Sequence, residues 1–151
     1  MLDDVDRRIL RQMQADPSLT PVEVAERARV SHGQVGRRLA RLRDAGVILG
    51  VETSVNWQAL GYAVQVSLRI TLDKTAQRAF DEFIAAARGV PEVLEIQTFL
   101  GRVDVRLNLI ARDMAHYQQV YRAHILTLPH IADIEALMQV AQIKSEEGLP
   151  L

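Results

Sequence analysis

The segment VSHGQVGRRLARLRDAGVI, residues 30–48, decides the fold of the first third of the chain, because its apolar residues recur at α-helical spacing. Ser31 followed by Gln34 is a capping-box pattern, which predicts that the helix begins there. Gly46 predicts a C-terminal cap. We therefore expect one amphipathic helix with an apolar stripe of three residues: Val35, Leu39 and Leu42.

The opposite face of this helix is basic. The segment holds four arginines and no acid before Asp44, although the whole chain has 18 Lys and Arg against 19 Asp and Glu. Gln34, Arg37 and Arg41 share one stripe at i, i+3 and i+7. Arginine neutralises phosphates and can donate two hydrogen bonds to guanine, so this face favours contact with DNA. The alternative is a solvated face whose arginine stems cover apolar surface, but such faces usually mix both signs of charge.

Two shorter helices are predicted before this segment. Asp3 or Asp4 can cap the first, and Thr20 can cap a second that ends near Ala28. Together with the tight connection at residues 29–31, the second and third helices form a helix-turn-helix pattern. In that motif the second helix lies in the DNA major groove. We predict DNA contacts from eight residues: Arg29, Ser31, His32, Gly33, Gln34, Arg37, Arg38 and Arg41.

The acidic residues near the N-terminus have a simpler interpretation than a metal or catalytic cluster. Asp3, Asp4 and Asp6 stand at a helix start, where the helix dipole stabilises negative charge. Asp6 can also pair with Arg38 inside the helix-turn-helix.

The remainder of the chain has a different periodicity and is more acidic, which indicates a second unit with other partners. Alternating strands and amphipathic helices follow in the order βαββαβ, which predicts an α+β, ferredoxin-like domain. One face of its sheet lacks cover within the chain, and we expect a second subunit there. The predicted elements are residues 62–72, 75–88, 93–100, 103–110, 113–128 and 134–143.

The two patterns predict three parts in the chain. Residues 1–50 form a helix-turn-helix DNA-binding domain, residues 51–61 a strand and linker, and residues 62–151 a ferredoxin-like dimerisation domain.

Composition excludes several other classes of protein. The chain has no cysteine, which removes disulfides, thiolate metal sites and cysteine nucleophiles. Its four histidines include no HExxH pair, and its serines have no G-x-S-x-G context, so we expect no metal, no cofactor and no enzyme activity. No apolar run approaches bilayer length, and we expect a cytoplasmic protein that avoids membranes. An RNA-binding sheet is not expected, because Phe99 is the one aromatic residue on the central strand pair.

Several motifs, in register along nearly the whole chain, resemble the Lrp/AsnC (leucine-responsive and asparagine-responsive) transcription regulators. The first is the opening Leu2-Asp3-x-x-Asp6-x-x-Ile9-Leu10. The others are Ser31-x3-Val35-x2-Arg38-Leu39-x2-Leu42-x3-Gly46-Val47-Ile48, Leu60-Gly61-Tyr62, Val90-Pro91-Glu92-Val93, Gly101-x2-Asp104 and Leu149-Pro150-Leu151.

The resemblance implies a winged helix-turn-helix followed by a domain that dimerises through its sheets and binds amino acids between dimers. Dimers of this family commonly assemble into octamers of four dimers. The resemblance places the effector around one loop, with candidate contacts from Thr98, Leu100, Gly101, Arg102 and Asp104.

Three residues depart from the family pattern. Arg29 replaces a glycine in the turn, and Trp57 replaces a proline in the linker. Arg102 puts a cation in the effector loop, so we hypothesise a preference for an anionic ligand or a loss of amino-acid binding. The alternative is a solvated arginine paired with Glu95 or Asp104. Asp104 can hold a ligand's ammonium group or act as a turn acceptor.

The sequence therefore predicts a sequence-specific regulator that binds double-stranded DNA at a roughly palindromic operator, because a two-fold dimer presents two recognition helices. Its effector would be an amino acid or a related small molecule. The alternative is a ligand-binding or interaction module whose helix-turn-helix contacts protein.

Overall fold

The computed structural model describes residues 1–151, and they form two compact units. The first contains Met1–Ser54 together with Lys144–Leu151, and the second contains Val55–Ile143. The chain therefore leaves the first unit, builds the second and returns, whereas we expected the C-terminal residues to belong to the ferredoxin-like domain. None of the helices combines the length and the apolar character that crossing a bilayer requires.

The first unit begins with three helices: α1 (Asp4–Ala15), α2 (Pro21–Ala28) and α3 (His32–Asp44). Reciprocal capping boxes start the first two, since Asp3 exchanges hydrogen bonds with Asp6, and Thr20 with Glu23. The predicted capping box at Ser31 and Gln34 is wrong, because the Ser31 side chain makes no capping hydrogen bond. Burial of the apolar stripe therefore holds α3 in place, with a core of Ile9, Val24, Ala25, Ala28, Val35 and Leu39.

The two turns that flank α3 use left-handed backbone. Arg29 has φ 56° and ψ 54°, a conformation that costs a non-glycine residue roughly 1–2 kcal/mol. Gly46, at φ 71°, ends α3 as predicted. Its N–H donates to the Arg43 carbonyl, and the Val47 N–H donates to the Leu42 carbonyl, which together make a Schellman cap.

The second unit is a four-stranded antiparallel sheet in the order β2-β3-β1-β4, with both helices on one face. This is the predicted ferredoxin-like arrangement. The core lies between sheet and helices and includes Leu68, Ile70, Phe83 and Leu107. The elements are β1 (Val64–Leu72), α4 (Ala79–Ala87), β2 (Val93–Thr98), β3 (Val105–Ala111), α5 (Met114–Val120) with a π-helical turn at Tyr121–Ile125, and β4 (Ile131–Met138).

The sheet face opposite the helices is mainly polar. Ser67, Arg69 and Arg106 lie on it beside Asn108 and Glu135, as the pairing of β1 with β3 and β4 requires. On β3 and β4 the apolar exceptions are Ile110 and Leu137, and the exposed ring of Phe99 lies against the Arg106 guanidinium. A partner that packs on this face would therefore contact mainly charged and hydrogen-bonding side chains and only a few apolar ones.

Two predicted strand assignments need correction. Residues 51–57 form no strand, and a 3₁₀ turn at Gln58–Leu60 follows them, because no neighbouring strand satisfies their backbone groups. The last strand ends at Met138 instead of residue 143. The last residue pair joins Met138 to Val66, and just beyond it the Gln139 N–H donates to the Gln65 carbonyl, so the pairing stops close to where β1 begins at Val64.

Candidate nucleic-acid interface

The outer face of α3 presents a shallow basic concavity of about 250 Å³. It exists because the apolar stripe of α3 faces the core and turns the arginines outward. Four residues line it: Gln34, Arg37, Arg38 and Arg41. A concave surface lined by one amide and three guanidinium groups offers many hydrogen-bond donors and only one side-chain acceptor, which suits an anionic partner.

A buried carboxylate holds two of these arginines in place. Asp6 on α1 is completely buried, and its Oδ1 accepts hydrogen bonds from Arg38 Nη1 at 2.8 Å and Arg41 Nη2 at 2.6 Å. Arg38 Nη1 also donates to both carboxylate oxygens of Asp3, at 2.8 and 2.7 Å. These contacts tie α3 to α1 and include the anticipated pairing of Asp6 with Arg38.

The arginines also change the acidity of the two carboxyl groups. The hydrogen bond from Arg38 lowers the pKa of Asp3 to about 2, helped by the Asp6 backbone N–H that donates to it. Burial alone would raise the pKa of Asp6, but the hydrogen bonds from Arg38, Asp3 and Arg41 lower it below its usual value. Both aspartates are therefore charged at neutral pH, and they neutralise part of the positive charge on α3.

The predicted DNA-contacting residues fall into two groups. Arg38 and Arg41 are bound within the protein, each through one Nη atom, so their roles include orienting α3. The others are exposed and make no side-chain hydrogen bond or ion pair within the protein. This second group contains Arg29, Ser31, His32, Gly33, Gln34 and Arg37.

Sequence reasoning missed two features of this surface. It did not predict the ion pairs of Arg41 with Asp6 and of Arg38 with Asp3. Asp3 and Asp6 lie about one helical turn apart, and that spacing could have indicated that both bind the same cationic side chain. It also drew nothing from Gly36. At Gly33 and Gly36 an added Cβ would meet only open space, so packing inside the unit does not require either glycine.

The predicted effector loop lies at the hairpin between β2 and β3. Asp104 is buried there, and its carboxylate accepts from the Leu72 N–H at 2.8 Å and from Lys74 Nζ at 2.8 and 2.9 Å. The Lys74 ammonium and the Leu72 amide lower its pKa, although burial opposes them. Asp104 thus binds an ammonium of its own chain, instead of acting as a local turn acceptor.

The other predicted loop residues, Thr98, Leu100, Gly101 and Arg102, are exposed. Arg102 forms no salt bridge with Glu95 or with Asp104: Glu95 accepts from Asn108, and Asp104 pairs with Lys74. The guanidinium of Arg102 is therefore free toward solvent.

Comparison with known proteins finds a matching family for each part of the chain. Residues 2–48 match the winged helix-turn-helix DNA-binding family, and residues 65–149, more than half of the chain, match the Lrp/AsnC ligand binding domain. The chain belongs to the Lrp/AsnC family.

Named relatives of this Lrp/AsnC protein are transcription regulators. The proline dehydrogenase transcriptional activator of Rhodobacter capsulatus is 30% identical over 132 residues, covering 87% of this chain and 86% of the relative. The leucine-responsive regulatory protein of Rhizobium meliloti is 29% identical over 143 residues, covering 95% and 92%.

Solved structures share the fold of this Lrp/AsnC protein along nearly its whole length. A transcriptional regulator of Neisseria meningitidis, in complex with L-Met, aligns with a TM-score of 0.91 at 27% identity, covering 99% of this chain and 97% of that one. Escherichia coli AsnC aligns with a TM-score of 0.88 at 25% identity, covering 96% of each chain. The Lrp/AsnC protein is accordingly a member of a family of transcription regulators, not of enzymes, with a DNA-binding helix-turn-helix and a ligand-binding domain.

Proposed function

We propose that this Lrp/AsnC protein is a sequence-specific regulator that binds double-stranded DNA and responds to an amino acid or a related small molecule. The observation that carries the proposal is the basic concavity on α3, where Gln34 and Arg37 are exposed without partners inside the protein. Free guanidinium and amide groups on a helix-turn-helix recognition helix are the groups that read base edges.

The α3 residues divide into different roles. Gln34 and Arg37 reach base edges in the major groove, because nothing in the protein competes for their hydrogen-bonding atoms. Arg41 is bound through one Nη atom and half exposed, so its remaining N–H groups contact a phosphate. Arg29, Ser31, His32 and Gly33 lie at the start of α3 and face the DNA backbone, while Arg38 holds the helix against α1.

Selection of bound sequences from a random double-stranded DNA pool, followed by fluorescence anisotropy, tests this assignment. Arg37→Ala should weaken binding about 10- to 100-fold and relax one base position, because a bidentate base contact contributes roughly 1–3 kcal/mol. The matched control is Arg88→Ala, an exposed arginine of the second unit, which should leave affinity unchanged. Uniform weakening across all sequences would make Arg37 a phosphate contact instead.

The effector part of the proposal concerns the second unit. The chain assembles as a homo-oligomer, built from dimers and reaching an octamer of four dimers, with a second copy on the polar sheet face. The effector binds at a subunit interface around Gly101–Asp104. The likeness to a solved regulator in complex with L-Met supports an amino-acid effector, and the exposed, unpaired guanidinium of Arg102 supports a place for it at this loop.

A thermal-shift panel of the twenty amino acids and their keto acids tests the effector. A ligand at 100 times its dissociation constant stabilises the folded state by about 2.7 kcal/mol, which raises the melting temperature measurably. If Arg102 selects the ligand, Arg102→Asp should reverse the order of anionic and neutral hits. An unchanged order would remove Arg102 from the specificity determinants.

The second candidate function is an interaction module whose helix-turn-helix contacts protein. Salt dependence distinguishes the two functions. DNA affinity that falls steeply between roughly 50 and 200 mM salt reflects release of counterions from phosphates. Absent or salt-insensitive DNA binding would favour the interaction module.

A further inference from the structure

The concavity on α3 carries less positive charge than its three arginines suggest. Arg38 and Arg41 both bond to carboxylates of the α1 end, and those carboxylates belong to Asp3 and Asp6. Two positive and two negative charges cancel among these four side chains, which we call the α1–α3 charge cluster. Arg37 is therefore the one arginine of the concavity whose charge no ion pair compensates.

The buried acid of the cluster depends on its cations. Asp6 is 0% exposed, and both of its carboxylate oxygens accept hydrogen bonds from Arg41 Nη2 at 2.6 Å. Water does not solvate this carboxylate, so drawing Arg41 away leaves a buried charge with Arg38 as its one remaining cation. A DNA phosphate that attracts Arg41 therefore competes with Asp6 for the same guanidinium.

Arg41 is accessible to such a phosphate. Its side chain is 55% exposed, and its Nε and Nη1 atoms have no partner inside the protein. It lines the same concavity as Gln34 and Arg37, which we have assigned to base edges. Arg41 is therefore shared between a buried acid on α1 and any phosphate that approaches α3.

Arg38 is held more completely than Arg41. Its side chain is 21% exposed, and its Nη1 donates to three carboxylate oxygens, two from Asp3 and one from Asp6, at 2.7 to 2.8 Å. The Asp3 side chain is 52% exposed, so its negative charge also acts on an approaching phosphate through solvent. Asp3 thus holds Arg38, and Asp6 restrains Arg41.

This restraint affects the two kinds of DNA complex unequally. Non-specific binding depends almost entirely on the number of phosphates that the protein neutralises. Specific binding adds hydrogen bonds to base edges, and these require α3 in a fixed orientation. Carboxylates that weaken phosphate contacts and also fix the helix therefore lower the non-specific affinity more than the specific affinity.

We propose that Asp6, together with Asp3, determines specificity in this regulator by competing with DNA phosphates for the arginines of α3. Neither acid contacts DNA, and both are positioning residues that act through Arg38 and Arg41. The inference rests on the proposed DNA-binding function and deepens it, because it assigns the rejection of non-specific DNA to residues outside the recognition helix.

Salt titrations of DNA affinity test the competition. The full-length protein is titrated against two fluorescent duplexes of equal length, the best selected sequence and a scrambled one, between roughly 50 and 200 mM salt. In Asp6→Asn, the slope of log affinity against log salt for the scrambled duplex should steepen by about one per bound protomer, because Arg41 neutralises a further phosphate. At about 0.1 M salt that slope corresponds to a roughly tenfold gain in non-specific affinity. The selected duplex should gain less, so the ratio of the two affinities should fall about threefold or more.

Two further substitutions at the start of α1 provide a control and a second test. Asp4→Asn removes the same charge, but Asp4 is 87% exposed and pairs with Arg8 of its own helix at 3.6 Å. It releases no arginine of α3 and should leave the slope and the affinity ratio unchanged. Asp3→Asn should fold normally, since asparagine caps a helix as well as aspartate does. It should lower the affinity ratio about twofold, because Asp6 still holds Arg38 and Arg41.

A double-mutant cycle separates competition from a purely structural effect. If Asp6 acts through Arg41, then Asp6→Asn should no longer steepen the slope in a protein that already carries Arg41→Ala. Loss of helix packing alone would weaken binding to both duplexes in either background, without a steeper slope. Urea denaturation establishes that each variant is folded at the temperature of the titration.

Two results would overturn the inference and leave the DNA-binding function intact. One is an unchanged slope and affinity ratio in folded Asp6→Asn and Asp3→Asn. The other is an equal change in Asp4→Asn and Asp6→Asn, which would reduce the effect to general charge. If the parent protein bound neither duplex even at the lowest salt, the proposed function would fail and this inference with it, so the two failures are distinguishable.

Discussion

Asp6 of α1 is fully buried and accepts a hydrogen bond from Nη1 of Arg38 in α3, with 2.8 Å between the two atoms. The two residues stand 32 positions apart in the chain. Their ion pair makes the position of the recognition helix dependent on a residue of the first helix.

Replacing Asp6 by Asn should destabilise the first unit by about 2 kcal/mol. Breaking a buried ion pair costs roughly 3–5 kcal/mol, and the solvent exposure of the two arginines reduces that figure. Urea denaturation measures the change. The control is Asp4→Asn. Because the Asp4 side chain is 87% exposed, this substitution should change the free energy of unfolding by less than about 1 kcal/mol. Equal effects at both positions would contradict a special role for Asp6.

Stability should fall as the solution becomes acidic between about pH 4 and pH 2. The pKa of Asp3 is about 2 in the folded protein, below its usual value of 3.8. The folded state therefore binds fewer protons than the unfolded state in this range, so each fall in pH favours unfolding. Melting temperatures measured from pH 6 to pH 2.5 should show a shallower decline in Asp3→Asn. A slope identical to that of the parent protein would contradict the assignment.

Gly36→Ala should separate stability from DNA affinity. Alanine favours a helix interior by about 0.8–1.0 kcal/mol over glycine, and the added Cβ meets open space. We therefore expect a more stable protein that binds DNA several-fold more weakly, because the methyl group keeps α3 from approaching the DNA closely. Thermal unfolding and anisotropy test the two effects. Unchanged DNA affinity in a more stable variant would show that close approach at Gly36 is not required.

Arg29→Gly should stabilise the fold by about 0.5–1 kcal/mol. Arg29 occupies a left-handed conformation that glycine adopts without strain, although the greater freedom of glycine in the unfolded chain offsets part of the gain. Arg29→Ala is the matched control, because it removes the charge and keeps the strain. If Arg29 contacts a phosphate, both variants lose DNA affinity, whereas only the glycine variant becomes more stable. A stability gain with alanine would contradict the strain argument.

Asp104→Ala should destabilise the second unit by about 2–3 kcal/mol. The substitution removes the acceptor of the Leu72 N–H and the partner of Lys74 in one step. Denaturant unfolding checks this value, with Arg102→Ala as the control, which should remain within about 0.5 kcal/mol of the parent. A mild effect at Asp104 would mean that water replaces the carboxylate readily.

Periodic patterns predicted the elements of this fold because periodicity reflects burial. Leu39 and Leu42 recur at helical spacing and are buried in α3, and the alternation in β1 places Leu68 and Ile70 in the core. Hydrophobic periodicity does not show which strand pairs with which. The predicted strand near Val51 therefore failed, because the chain provides no neighbouring strand for it.

The candidate sites were harder to predict because their contacts join distant residues. Asp104 binds Lys74 from 30 positions away, and Arg41 binds Asp6 from 35 positions away. Local motifs identified Asp104 and Arg41 as residues of interest but could not show what they contact.

The return of the chain to its first unit has a consequence during synthesis. The Gln14 side chain on α1 exchanges two hydrogen bonds with the backbone of Leu149, through Oε1 at 2.6 Å and Nε2 at 3.2 Å. Roughly 90 residues of the second unit are translated in between, which takes about 5 to 20 seconds at typical ribosome speeds. On the ribosome, the nascent helix-turn-helix therefore lacks its contacts with Leu149 until that residue has been translated and has emerged.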